Sequence, residues 1–122
     1  MLLIVLASAR PDAWLAFAAA LASDPEVQLK HVGTGTEALE AGYNFAPHLM
    51  VIDSLPDTEP LSLVQKLLTV NAMVNTAVVS PLTDEEFHEA SEGLGILGRL
   101  PVEPGTDEAA GLLDKLRKVL GR

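Results

Sequence analysis

Apolar runs alternate with stretches of helical periodicity along the whole chain. Leu2–Ala7 is apolar without a break, the pattern of a strand covered on both faces. Pro11 and Asp12 then open a helix, since proline is tolerated in a first turn. Trp14, Phe17, Ala18 and Leu21 follow at helical spacing until Asp24 and Pro25 end it. Val27–Val32 reads as a second short strand. A turn at 33–35 leads into a short helix over 36–43, with Ala38, Leu39 and Tyr43 turned inward. Leu49–Ile52 is a third apolar run, stopped by Asp53 and a polar, proline-bearing loop. Pro60–Val70 makes a third helix through Leu61, Val64, Leu67 and Leu68. Residues 76–80 form a fourth strand. Thr83 with Glu86 three places on predicts a capping box, opening a helix that runs to about Glu92. Glycines at 93, 95 and 98 surround a last strand over 97–102. Thr106–Leu120 closes the chain as a helix with Ala109, Leu112, Leu113, Leu116, Val119 and Leu120 apolar. Met50, Met73 and the Trp14 stripe read as core.

This order, βαβαβαβαβα, predicts an α/β domain over residues 1–122: a doubly wound, five-stranded parallel sheet with helices on both faces. Ligand and catalytic groups in such sheets gather at the C-terminal strand ends. Here those ends fall near Ser8 to Arg10, residues 32–34, Asp53 to Asp57, Ser80 to Thr83, and Glu103 with Pro104.

Composition narrows the function. A chain of 122 residues, 48% of them hydrophobic, is long enough to bury a core of its own and too apolar for disorder. It has no cysteine, which removes disulfides and thiolate metal sites. The apolar start lacks a basic leader and is cut short by Arg10 and Asp12, so it reads as a strand and neither as a signal peptide nor as a membrane span. A cytoplasmic protein is the expectation. The formal net charge of −9 argues against nucleic acid, because phosphate contacts need clustered Lys and Arg. The one basic group, Lys115, Arg117 and Lys118, suits the last turns of a helix. His31, His48 and His88 have no ligand spacing. GxSxG does not occur, and the GxGxxG spacing of Gly93, Gly95 and Gly98 leads into a strand instead of joining a strand to a helix, so it is no dinucleotide fingerprint.

Three segments bear a resemblance. PHLMVIDSLPD, TAVVSPLTDEE and GILGRLPVEP, set in five βα units, resemble the third, fourth and fifth strands of the receiver domains of two-component response regulators. The resemblance covers the chain. It implies the flavodoxin-like (βα)5 topology, Asp53 at the phospho-acceptor position, Ser80 at the family's hydroxyl position and Pro104 at the proline after the fifth strand. It also implies signalling by protein contact, with a histidine kinase or an output protein as partner. A homodimer is a further expectation, because the fourth helix is acidic, the last ends basic, and receivers often pair through that face. The chain ends with its last helix, the pattern of a single-domain regulator or of an excised domain.

The departures from the family pattern bear on the chemistry. No acid occurs in residues 1–10, so Ala7, Ser8 and Ala9 stand where the family has an acidic pair. Glu103 stands where it has a lysine, Leu100 where it has an aromatic switch residue, and the loop after Asp53 is one residue short. Phosphoryl transfer to a carboxylate needs its negative charge neutralised. In receivers Mg²⁺ does this with oxygen ligands, and the first strand here supplies no carboxylate. A pseudo-receiver that binds protein partners without Mg²⁺-dependent phosphorylation, and that is neither an enzyme nor a cofactor binder, is therefore the leading expectation. Two pocket arrangements remain open. In one, a cation sits between Asp53 and Glu103, with Asp57 assisting. In the other, Arg10 forms a bidentate pair with Asp53 and stands in for the metal. The alternatives for function are a working acceptor at Asp53 in an altered pocket, and a flavodoxin-like small-molecule binder or enzyme. The first helix, apolar at every position over 14–22, offers surplus apolar surface for a partner.

Overall fold

The computed structural model describes residues 1–121. Five parallel strands, β1 (Leu2–Ala7), β2 (Val27–Val32), β3 (Leu49–Ile52), β4 (Asn75–Val79) and β5 (Gly98–Leu100), make one sheet in the order β2-β1-β3-β4-β5. The helices are α1 (Leu15–Ala22), α2 (Gly35–Phe45), α3 (Pro60–Val70), α4 (Asp84–Ala90) and α5 (Thr106–Leu120). The doubly wound α/β class read from the sequence is the fold observed. The reversal of strand order at β1 and β3 places the ends of these two strands side by side, with Ala7 opposite Ile52.

Alternating side chains of β1 supply two cores. Leu2, Ile4 and Leu6 face Trp14, Phe17 and Leu21 of the first helical segment and Leu112, Leu113 and Leu116 of α5. Val5 and Ala7 face the opposite layer, with Ala38 and Ala41 of α2, Leu63, Val64 and Leu67 of α3, and Phe87 of α4. The central strands are buried on both faces, which is why they carry uninterrupted apolar runs.

Local differences from the sequence reading have physical causes. The first helix is split: Pro11–Trp14 is a 3₁₀ turn, and Trp14 leaves helical geometry at φ −115°, ψ 14° before α1 begins. The last strand is only Gly98–Leu100, because Pro101 brings no N–H to the ladder. The fourth helix stops at Ala90, where the Ser91 hydroxyl and backbone N–H both donate to the Phe87 carbonyl. Its capping box is present, with Thr83 Oγ1 accepting from the Glu86 N–H at 3.1 Å and Glu86 Oε1 accepting from the Thr83 N–H at 3.0 Å. α3 buries Leu63, Val64 and Leu67, leaving Leu61 and Leu68 at its margin. Tyr43 and Met73 are corrections: neither is core, at 78% and 86% exposure. In α2 the inward places go to Ala38, Ala41 and Gly42, and Met73 lies in the turn before β4. On α1, Leu15, Ala16, Ala19 and Ala22 face solvent.

Candidate functional site

Asp53 follows the last residue of β3, and its backbone N–H continues the ladder by donating to the Ala7 carbonyl at 2.9 Å. That bond turns the carboxylate toward the loop after β1. Its side chain is only 5% exposed, so its polar atoms need partners within the protein. Three donors supply them, and all reach one oxygen. Ser8 Oγ donates to Asp53 Oδ2 at 3.0 Å, and Arg10 Nε does so at 3.0 Å. Arg10 Nη2 lies 2.8 Å from the same Oδ2. The pair is therefore two nitrogens on one oxygen, in place of the bidentate fork expected from residue types. Among the described residues no hydrogen bond reaches Oδ1.

The β1–α1 loop sets this geometry. The Arg10 backbone N–H donates to Ser8 Oγ at 2.9 Å, which turns the chain back over the strand end. The guanidinium, 39% exposed, spans the site, and its Nη2 also donates to the Val102 carbonyl at 3.1 Å. One side chain thus ties the ends of β1 and β3 to the loop after β5.

The remaining candidates lie elsewhere. Asp57 does not assist at Asp53. Its carboxylate crosses to the start of α2, where Oδ1 accepts from the Gly35 N–H at 2.7 Å and Oδ2 from the Thr36 N–H at 3.2 Å. The Gly35 amide is the main cause that holds the Asp57 carboxyl below its ordinary value. The loop can approach α2 this closely because residue 35 is glycine: a Cβ there would stand 2.6 Å from Thr58 Cγ2. Glu103 is exposed and makes no hydrogen bond or ion pair among the described residues. Ser80 is buried at the end of β4, where its Oγ accepts from the Leu82 N–H at 3.2 Å, a local strand-end turn.

Two participants escaped the sequence reading. Ser8 reads from the sequence as a strand-end residue standing in place of an acid, and its hydroxyl touches Asp53. Arg99 carried no signal at all. Its Nη1 donates to the Ser80 carbonyl at 2.9 Å and its Nε to Asp84 Oδ1 at 2.7 Å, joining β5 to the start of α4.

The chemistry available at Asp53 is that of one carboxylate neutralised by one guanidinium, with a hydroxyl beside them. Among the described residues no three His, Cys, Asp or Glu side chains are grouped to hold a metal ion. No described helix is long and apolar enough to cross a membrane.

No protein-family model matches the sequence, and no curated protein matches it. The fold, by contrast, has many counterparts. The response regulator domain of Thermotoga maritima CheB superposes with a TM-score of 0.80 at 18% identity, covering 100% of this chain and 98% of that one. The receiver domain of the Francisella response regulator 1452 gives 0.83 at 16%, with 98% and 99% covered. A CheY-like receiver domain protein from Methanospirillum hungatei JF-1 gives 0.79 at 18%, with 99% and 94% covered. The chain has the receiver fold from end to end.

Proposed function

We propose that this chain is a signalling domain of the two-component receiver kind, a binding module and not an enzyme, in which Arg10 takes the place of a divalent cation at Asp53. The observation that carries this reading is the convergence of Arg10 Nε and Nη2 on Asp53 Oδ2, at 3.0 and 2.8 Å. A guanidinium in van der Waals contact with a carboxylate oxygen supplies the positive charge that a metal would supply. It also obstructs the metal, by charge repulsion and by taking the oxygen's lone pairs. The donor set does not suit Mg²⁺, which demands near-octahedral oxygen ligation: Asp53 is the one carboxylate at the site, and Asp57 is engaged at α2. On this reading the domain presents a fixed surface to a histidine kinase or an output protein, independently of Mg²⁺-dependent phosphorylation.

One detail favours a second reading. Because every described contact falls on Oδ2, Oδ1 is left free to act as a nucleophile, and Asp53 becomes an acceptor neutralised by Arg10. A two-dimensional NMR titration separates the two. Under the first reading the amides of Asp53, Ser80 and Glu103 stay unmoved by Mg²⁺ and then by beryllofluoride. Movement with beryllofluoride alone is the signature of the second reading. Movement with Mg²⁺ itself overturns both.

A further inference from the structure

The helix α4 has little of its own to hold it in place. It is the shortest α-helix, at 7 residues, and it buries one side chain, Phe87. The helices α2, α3 and α5 each bury three residues or more. A helix this short is not stable alone in water, so its neighbours have to hold it. Leu82, Leu94 and Ile96 add partly buried contacts with the same apolar layer. The packing is incomplete, because a groove of about 210 Å³ remains beside α4, lined by Leu61 of α3, Val78 of β4, Leu82 and Phe87 among others. The Thr83 and Glu86 capping box closes on itself and ties the helix to nothing else. Beyond α4, Gly93 and Gly95 hold φ at 85° and 64°, which glycine adopts without strain and which lets the chain bend there.

Arg99 makes good the deficit. Its Nη1 donates to the Ser80 carbonyl at 2.9 Å and its Nε to Asp84 Oδ1 at 2.7 Å. These two acceptors flank the connection from β4 to α4, so one guanidinium grips both its ends. Among the described residues, Asp84 makes the one ion pair between residues 81–96 and the rest of the chain. The Leu82 N–H, bonded to Ser80 Oγ, is held only locally. The Arg99 side chain is 22% exposed and that of Asp84 88%, so the carboxylate arm of the grip lies in water and breaks readily.

We propose that residues 81–96 form a flap that detaches while the sheet stays intact, and that Arg99 is the latch that sets how often it opens. Closed, the flap presents the acidic outer face of α4. Open, it lifts Phe87 out of the layer formed with α2 and α3 and uncovers the apolar groove. The two states offer a partner different surfaces with no change at Asp53. The latch goes beyond the reading of a fixed signalling surface, and its test uses neither Mg²⁺ nor beryllofluoride, so the two fail separately.

Native-state amide hydrogen exchange on the full chain, followed by NMR over a series of low urea concentrations, is the test. The α4 amides, led by that of Phe87, which is bonded to the Thr83 carbonyl, are expected to exchange faster than those of β3. They do so through openings that urea barely promotes, because little surface is exposed. Arg99→Met keeps the aliphatic stem and removes the guanidinium. It speeds α4 exchange by roughly tenfold, the worth of a hydrogen bond from a charged donor, and leaves β3 unchanged. Asp84→Asn removes only the exposed arm and speeds α4 by a smaller factor. Glu85→Gln takes the same charge from the same helical turn without touching Arg99, and leaves exchange as it was. Wild-type α4 amides that open only together with β3 overturn the flap. An Arg99→Met variant that leaves α4 exchange unchanged, or speeds β3 equally, overturns the latch, as does Glu85→Gln acting as strongly as Asp84→Asn.

Discussion

Arg10 and Asp53 meet through a single oxygen: Nε and Nη2 of the one converge on Oδ2 of the other, beside the hydroxyl of Ser8. The carboxylate is nearly buried while the guanidinium keeps 39% of its surface in water, so the two partners are not equally dependent on each other. Removing Arg10 leaves a buried charge without its cation. Removing the charge of Asp53 releases an arginine that water can still solvate. Arg10→Ala is thus expected to cost about 1–3 kcal/mol in urea denaturation, toward the lower end because solvent still reaches the pair. Asp53→Asn should cost less, and the double variant should recover part of the Arg10→Ala loss. A coupling energy of zero in this double-mutant cycle would mean that the contact contributes nothing to stability.

Asp57 gives the fold a defined acid response. Its carboxyl is lowered from 3.8, first by the Gly35 N–H and then, against the opposing cost of burial, by the Thr36 N–H. A carboxyl lowered in the folded state binds its proton less well there than in the unfolded chain. Its contribution is therefore fully present above the unfolded value of about 3.8 and is lost as pH falls through the lower folded value. Thermal midpoints of wild type and Asp57→Asn should differ most above pH 4 (an approximate bound set by that ordinary value) and converge in stronger acid. A difference that stays constant across the acid range would remove Asp57 from the acid response.

The parts legible in the sequence are those where one local rule decides the outcome. Strands buried on both faces have to be apolar throughout, and Leu2–Ala7 and Leu49–Ile52 are. The Thr83 and Glu86 box needs only three-residue spacing. Arg10 and Asp53 were paired by charge and by the topology of strand ends, but residue type does not say how many oxygens are used. Asp57 misled because it is near Asp53 in sequence. Its partner lies 22 positions upstream, and only the path of the loop directs it there. Tyr43 and Met73 show the matching limit for apolar residues: side-chain type records a preference for burial, while small neighbours and the glycine at 42 decide which positions of α2 touch the sheet.

The two close-packed glycines should respond differently to alanine. At Gly35 the new Cβ meets Thr58 Cγ2 at 2.6 Å and Asp57 Oδ1 at 3.2 Å, so the short, hydrogen-bonded loop would have to move away from α2. Gly35→Ala is expected to destabilise by about 1–3 kcal/mol, the usual range for overpacking. At Gly42 the obstacle is the far end of Leu67, which can turn, and alanine inside a helix returns roughly 1 kcal/mol of propensity. Gly42→Ala should therefore lie within about 1 kcal/mol of wild type. Urea midpoints rank the two, and the reverse order would show that the loop yields more readily than Leu67.

Trp14 holds the one described buried side-chain polar atom without a hydrogen-bond partner, its indole Nε1. The residue is 1% exposed and packs edge-on against Phe17, with ring centroids 5.8 Å apart. Two effects therefore oppose each other on replacement. Trp14→Phe opens a cavity, which destabilises, but it also removes an N–H that was desolvated without compensation, a penalty of about 1–3 kcal/mol. The net change should be small, about 1 kcal/mol or less. Trp14→Ala removes the packing as well and should cost about 3–5 kcal/mol. As the only tryptophan, Trp14 also reports on itself: its emission should be blue-shifted in the folded protein and should move red on unfolding. A Trp14→Phe loss of about 2 kcal/mol or more would mean that the orphan N–H carries no offsetting penalty and that lost volume alone governs this part of the core.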